Sequence, residues 1–523
     1  MASTLRDVKI AHNLGLNLYR NLNGTQTDFE AVMQLGARVA GELGTRRVWM
    51  LSASQSGTSE AEMIPSACRL LSDAGVDARW LVLETDEPRF YETAQGMRER
   101  LHGLEGNGSF LDADREIYES VLREVADALQ RYVDPRDILM VHGSGLAGVA
   151  RFLPDSFQSR LVWCSDSGSP EDSRSATEAW EALRPYLRPY ARCLFAERRF
   201  IPPFLRERSG IVTPGIDPLS HKNRPLRPYK LLGVLRSAGL LDRPQAPDWA
   251  AFGSQARVLR ENSWKREPLP SLLHRPVVLQ VSRFERLKGF AELVAGFQEL
   301  LKIFPARLPH LKVDDSRVSS ELENVELVLA GPDPEELAHS PGGRAVLEEL
   351  TELHSKLTPD MAKRVHVIRL PIRNRKENAL LVNALQRLAT VVVQSSLQHG
   401  FGLTVTEALW KGSPVLASDV GAIGHQIRAG IDGTLIDAPE DPESIARGLL
   451  EVLADRRAIE ARSRSGRKRV AENFLVLQYL KVLLQEFEEL IQGAGALRPR
   501  PVIRGQAQED VEPGRLEPAH RWA

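Results

Sequence analysis

A chain of 523 residues, at roughly 100 to 200 residues per domain, has room for two or three domains with separate apolar cores, which excludes one small domain. With 42% hydrophobic and 26% charged residues, the composition is that of a globular protein and not of a disordered, collagenous or membrane one. Sixty-eight Lys and Arg against 69 Asp and Glu leave a net charge of -1, so no basic field favours nucleic acid. Cys68, Cys164 and Cys193 form no C-x-x-C pair, which argues against a disulfide framework or a thiolate zinc site.

Residues 1–45 read as a leading helical segment that lacks the apolar run of a signal peptide, and no later stretch reaches about 18 apolar residues. The expectation is a cytoplasmic protein with no membrane association. Over 46–223, apolar β-branched runs at Arg47–Ser52, Ala78–Glu84, Asp137–His142, Arg160–Asp166 and Tyr190–Ala196 alternate with amphipathic patterns. That alternation predicts parallel βαβ units. Residues 224–275, rich in Pro, Arg and Trp, read as a linker and insertion rather than a strand-helix unit. A second alternating series over 276–455 passes through Pro276–Arg283, Val325–Gly331, Arg364–Leu370, Thr390–Gln394 and Pro414–Ser418. Residues 456–492 read as C-terminal helices, with Tyr479, Leu480, Leu483 and Phe487 in an apolar stripe, and 493–523 as a disordered tail. The predicted fold class is α/β, with two Rossmann-like parallel-sheet domains.

In parallel α/β sheets, ligands gather at the carboxyl ends of strands. The first strand of the second domain runs into Ser282-Arg283-Phe284-Glu285-Arg286-Leu287-Lys288-Gly289, placing Arg283 and Lys288 at a strand-to-helix turn. There they could neutralise a diphosphate or stand as solvated charges. After Thr390–Gln394 comes Gly400-Phe401-Gly402-Leu403-Thr404-Val405-Thr406-Glu407. Its glycines admit close backbone approach, the following helix start offers amides to phosphate, and Glu407 could accept from a ribose diol. Together these outline a nucleotide-diphosphate site. A competing motif, Gly143-Ser144-Gly145-Leu146-Ala147-Gly148, is a formal G-x-G-x-x-G with Asp166 near the offset of a dinucleotide's ribose ligand. It would make an oxidoreductase, but it stands in the third βα turn rather than the first. His142 and His425 read as structural imidazoles, and Cys164 as a small apolar filler.

At Val382–Ile427, VNALQRLATVVVQSSLQHGFGLTVTEALWKGSPVLASDVGAIGHQI, the chain resembles the C-terminal domain of retaining glycosyltransferases of the GT-B fold. More narrowly it resembles the trehalose synthases that join a nucleotide-diphosphate glucose to glucose. Ala78–Glu84, Ile216–Asn223 and Val281–Phe284 match that family in order and at compatible spacing, and the likeness covers about Val48 to Glu488 apart from the insertion. The resemblance implies two domains facing a cleft and a retaining transfer of glucose to a sugar acceptor. It implies that Arg283 and Lys288 hold the leaving diphosphate and that Glu407 binds the ribose. Gly400, Phe401, Gly402, Leu403 and Thr404 would lie against donor phosphate and sugar. It implies small-molecule donor and acceptor partners and neither metal nor other cofactor; with no nucleic acid expected from the charge, the remaining candidate partner is a second copy in a homodimer.

The departures from the family's pattern cluster on one side. The first acid of E-G-F-G-L-T-V-T-E is His399 here, a candidate catalytic position that could still donate to a sugar hydroxyl. The family's GGG followed by V-A-E becomes Gly57-Thr58-Ser59-Glu60-Ala61-Glu62, and V-H-D becomes Val141-His142-Gly143. R-C-H-I-D becomes Val162-Trp163-Cys164-Ser165-Asp166. Gly57, His142 and Asp166 are thus the acceptor-side candidates, in an altered sugar half beside an intact nucleotide half. Two alternatives follow: a catalytically weakened homologue that binds a nucleotide sugar as sensor or partner, and a trehalose phosphorylase-like enzyme. The second is disfavoured by Glu407, since a phosphorylase needs no ribose ligand.

Overall fold

Val48–Ser52 is apolar along nearly its whole length and offers no face to water, and it is buried throughout as a central strand. The computed structural model describes residues 3–11, 14–22, 25–104, 112–169, 173–242, 252–307, 323–337 and 341–493. The first sheet comprises β1 (Thr4–Asp7), β2 (Val48–Ser52), β3 (Ala78–Glu84), β4 (Ile138–His142), β5 (Leu161–Ser165), β6 (Arg192–Phe195) and β7 (Ser209–Ile211). Their order is β1-β3-β2-β4-β5-β6-β7, and only β1 runs antiparallel to its neighbour. The leading segment is therefore not wholly helical. Thr4–Asp7 turns one residue, Leu5, into the core and gains its hydrogen bonds from β3; the helix of this segment is Gln26–Leu43.

The second sheet holds β8 (Arg257–Arg260), β9 (Ser263–Lys265), β10 (Val277–Val281), β11 (Glu326–Pro332), β12 (Val365–Leu370), β13 (Val391–Gln394), β14 (Val415–Ser418) and β15 (Thr434–Ile436). The order is β15-β14-β13-β10-β11-β12-β8-β9. Strands β10 to β15 are parallel, while β8 and β9 form a hairpin antiparallel to β12. Glu261 and Asn262 both take positive φ, 49° and 59°, as a two-residue turn matched to strand twist requires. The segment read as linker and insertion thus adds a helix, Pro228–Ser237, and two edge strands to the second lobe.

The chain crosses between lobes side by side with itself. The Ile216 amide donates to the Phe474 carbonyl at 2.9 Å and the Val476 amide to the Ile216 carbonyl at 2.9 Å. A Cβ on Gly215 would stand 2.5 Å from the Leu475 carbonyl oxygen, so the crossings touch. Past this point, Val476–Gln492 returns to the first lobe, burying Leu480, Leu483 and Phe487 with Val32, Leu35 and Val39 of Gln26–Leu43. The expected disordered tail, beyond Gly493, lies outside the described residues. Among the described residues no helix is long and apolar enough to cross a membrane.

Candidate active site

A cleft of about 480 Å³ lies between the lobes. Gly57, Thr58 and Glu62 line it from the first lobe, Arg283, Lys288 and Glu407 from the second, and Lys222 from the crossing segment. It opens at the carboxyl ends of β2 and β10, where the parallel topology directs ligands.

The turn after β10 is held from below. The Gln280 amide donates to the Lys288 carbonyl at 2.7 Å, and its oxygen accepts from the Ser395 amide and hydroxyl at 3.0 Å each. A Cβ at Gly289 would run into the Ser395 carbonyl, so glycine lets the turn lie on the end of β13. Glu285 accepts from Arg283 at 2.7 Å and, across the lobes, from Arg98 at 2.9 Å. Burial alone would raise its carboxyl, but Arg283, Arg98 and Lys288 hold it well below the usual range. Burial pulls the Lys288 ammonium down to about 7; Glu285 opposes this, while Arg283 and Arg98 reinforce it. Arg98, Arg283 and Lys288 thus crowd around Glu285, with Asp166 and Glu60 also near, and Arg283 and Lys288 are the two that line the cleft.

Gly402, with φ of 89° and ψ of 57°, precedes the helix Leu403–Lys411, a left-handed position suited to glycine. The Gln426 amide donates to the Phe401 carbonyl, and the Thr406 hydroxyl donates to the Gln426 oxygen at 2.6 Å, fixing the loop. His399, Leu403, Thr404 and Glu407 line the cleft. Phe401 does not: it is buried, with its ring 5.8 Å from that of Phe474, and acts as an anchor. At Gly400 a Cβ would run into the Asp166 carbonyl, so this glycine lets the two lobes meet. Glu407 is 2% exposed. One of its oxygens lies 3.3 Å from the Lys222 ammonium, and the other has no hydrogen-bond partner among the described residues. Against the cost of burial, Glu407 and Glu62 keep Lys222 charged.

The crossing segment that carries Lys222 is pinned to both lobes. Asn383 donates to the His221 and Arg224 carbonyls at 2.9 Å each, and Lys411 donates to Asn223 at 3.1 Å. Asp217 accepts from Tyr19, Ser66 and Arg69 at 2.7, 2.8 and 2.9 Å.

On the sugar side, Gly57 lines the cleft, whereas His142 and Asp166 line a second cavity of about 40 Å³ that shares Ser59 and Met63 with it. Burial pushes His142 down to about 4, opposed by Asp166, and its Nε2 has no partner among the described residues. His399 falls well below its ordinary value through burial and then Lys288, and its Nδ1 likewise has no partner among the described residues. Both imidazoles are neutral at pH 7. Burial pushes the Cys164 thiol up, which leaves it a poor nucleophile. His425 sits 3.5 Å from Glu197 across the lobes.

The dinucleotide reading of Gly143 to Gly148 does not survive. A Cβ on Gly145 would stand 2.9 Å from Ala94, and one on Gly148 2.7 Å from Leu122. The Gly148 amide donates to the Tyr118 hydroxyl at 3.0 Å. These glycines serve helix packing, and an amide a pyrophosphate would need is already used. Among the residues that sequence reasoning missed are Arg98, Glu285 and Lys222. Each takes its role from a partner in the other lobe or in the crossing segment.

Residues 50–202 match the family described as trehalose synthase, N-terminal domain, and residues 264–469 the one described as glycosyl transferases group 1. The trehalose synthase of Rubrobacter xylanophilus is 30% identical over 457 residues, covering 87% of this chain and 92% of that protein. That of Pyrococcus horikoshii is 27% identical over 445 residues, covering 84% and 89%. A trehalose phosphorylase of Pleurotus pulmonarius is 23% identical over 511 residues, which span 91% of this chain and 62% of that protein, a weaker likeness. Among solved structures, one from E. coli described as trehalose-6-phosphate bound with UDP-2-fluoro glucose aligns with a TM-score of 0.61 at 14% identity, over 87% of this chain and 100% of that one. An α,α-trehalose-phosphate synthase (UDP-forming) of Burkholderia vietnamiensis aligns at 0.59 and 14%, over 86% and 100%. The two facing lobes are thus a GT-B fold. With likeness running through both lobes and the cleft between them, the chain belongs to the trehalose synthase family of glycosyltransferases.

Proposed function

We propose that this protein moves glucose from a nucleotide-diphosphate sugar to a sugar acceptor with retention at the anomeric carbon, in the manner of a trehalose synthase. The observation that carries the reading is the convergence of Arg283, Lys288 and Glu407 on one interlobe cleft. The free oxygen of Glu407 accepts from the ribose hydroxyls, while its other oxygen stays with Lys222. Arg283 and Lys288 take the diphosphate. As the anomeric C–O bond breaks, its electron pair moves onto the departing phosphate oxygen, where these cations and the first amides of Leu403–Lys411 meet the growing charge. The acceptor oxygen bonds to the anomeric carbon on the same face, and its proton passes to the departing phosphate oxygen. Two side-chain cations carry this electrostatic task without a metal or resident cofactor. His399, neutral, offers a hydrogen bond to a sugar hydroxyl. The three free cysteines suit a reducing cytoplasm.

The altered sugar half favours a second reading, a nucleotide-sugar sensor. Incubation with ADP-, UDP- or GDP-glucose and D-glucose separates the two. The transferase reading expects an α-linked disaccharide in one-to-one yield with the released nucleoside diphosphate. Tight nucleotide binding without product would refute it in favour of the sensor.

A further inference from the structure

The helix Ser59–Asp73 begins with two acids in its first turn, Glu60 and Glu62, behind the N-cap Thr58. They part company. Glu62 approaches Lys222 at 3.5 Å and lines the large cleft. Glu60, half-buried, lines the small cavity with His142, Cys164, Ser165 and Asp166. Burial, then the nearby Asp166, raises the Glu60 carboxyl above its usual range, while Thr58 and Arg283 work against this. Both acids line this one cavity, where an ionised carboxylate accepts hydrogen bonds and a protonated carboxyl also donates one. His142, 5% exposed, lines the same cavity, and its Nε2 has no hydrogen-bond partner among the described residues. Unmet hydrogen-bonding capacity of this kind calls for a polar occupant.

Gly143 leaves room for the carboxylate. It lies at the end of β4 with φ of 81° and ψ of 163°, a region open essentially to glycine alone. A Cβ there would stand 3.3 Å from Glu60 Oε1, so the Glu60 carboxylate occupies the space a side chain at 143 would fill. The sequence departures fall on these two positions: this chain lacks an acid at 143 and carries one at 60. An acid has in effect moved from the end of one strand to the helix after its neighbour while reaching the same point in space.

We propose that Glu60, paired with Asp166, binds a hydroxyl pair of an uncharged sugar acceptor and sets acceptor specificity. This rests on the transfer reading above.

The test compares wild type with Glu60→Gln and Glu60→Val. The affinity for ADP, UDP and GDP, measured by calorimetry, stays within about twofold in both variants. Transfer to D-glucose from the nucleotide glucose that wild type uses shows KM for glucose raised and kcat/KM lowered by about 10- to 100-fold in Glu60→Gln, the loss of a charged hydrogen bond. The loss in Glu60→Val is larger. The same ordering holds for D-glucose binding to the nucleotide-loaded protein, a readout independent of turnover. Acceptor kcat/KM and glucose affinity within threefold of wild type would overturn the proposal while leaving the transfer reading intact. Loss of nucleotide affinity in both variants would make Glu60 structural and overturn it too. Wild type that transfers nothing from any donor sinks the transfer reading, and the glucose-binding comparison then decides the role of Glu60 by itself.

Discussion

Lys288 provides a proton count that turnover does not. With its ammonium at about 7 in the free protein, about nine-tenths of molecules carry it neutral at pH 8 and nearly all do at pH 9. A diphosphate beside it favours the charged form, so nucleoside diphosphate binding should take up about 0.9 proton per site at pH 8 and close to one at pH 9. The sign follows from the bound value lying above the free one. Affinity is full below about 7 and weakens as pH rises beyond it, by up to about tenfold per unit until the bound value is reached. At pH 8 the terminal phosphate, which titrates near pH 6, is already ionised. The groups facing Lys288 include Glu285, Arg283, Arg98 and Asp166, together with His102 and His399. The arginines stay charged and Glu285 is ionised throughout, so the comparison with a Lys288 variant separates the uptake of Lys288 from that of the two imidazoles. Calorimetry of ADP or UDP in buffers of differing ionisation enthalpy gives the count directly, and Lys288→Arg should abolish it. Uptake below about 0.2 proton at pH 8 would refute the reasoning.

Glu407→Gln should weaken nucleoside diphosphate binding by about 1 to 3 kcal/mol while leaving inorganic pyrophosphate affinity within twofold; unchanged nucleotide affinity would remove the ribose role. Arg283→Ala combined with Lys288→Ala should cost diphosphate binding far more than nucleoside binding, and equal losses would argue against a diphosphate site. His399→Glu places a carboxylate near Lys288 and should lower the proton uptake at pH 8, with faster transfer to glucose; a count unchanged from wild type contradicts the proximity. Asp217→Ala strands the buried Arg69 charge and should cost about 3 to 5 kcal/mol of stability in chemical denaturation.

The parts of the molecule legible in the sequence are those governed by local pattern. Short, largely apolar runs such as Val48–Ser52 and Val277–Val281 read as strands covered on both faces, and the strand-end rule led directly to Arg283 and Lys288. Thr4–Asp7 was not legible because four residues with one inward leucine carry no period and take their conformation from β3. The hairpin turn Glu261-Asn262 lacks the glycine that usually marks such turns. Arg98 and Glu285 are 187 positions apart and meet only through lobe closure. Glu60 was hidden for another reason. An acid in a helix's first turn is the ordinary complement of the helix dipole, and nothing in the spacing separates it from Glu62, which faces a different cavity.

The return of Val476–Gln492 to the first lobe bears on how the protein is made. Synthesis runs from the N-terminus, and domains generally fold as they emerge from the ribosome. Here the lobe translated first cannot seal its interior, because Leu480, Leu483 and Phe487 arrive only after the whole second lobe has been built. The nascent polypeptide must carry an open greasy groove through most of its translation, so a transcript cut short before this helix should yield aggregate rather than a folded half.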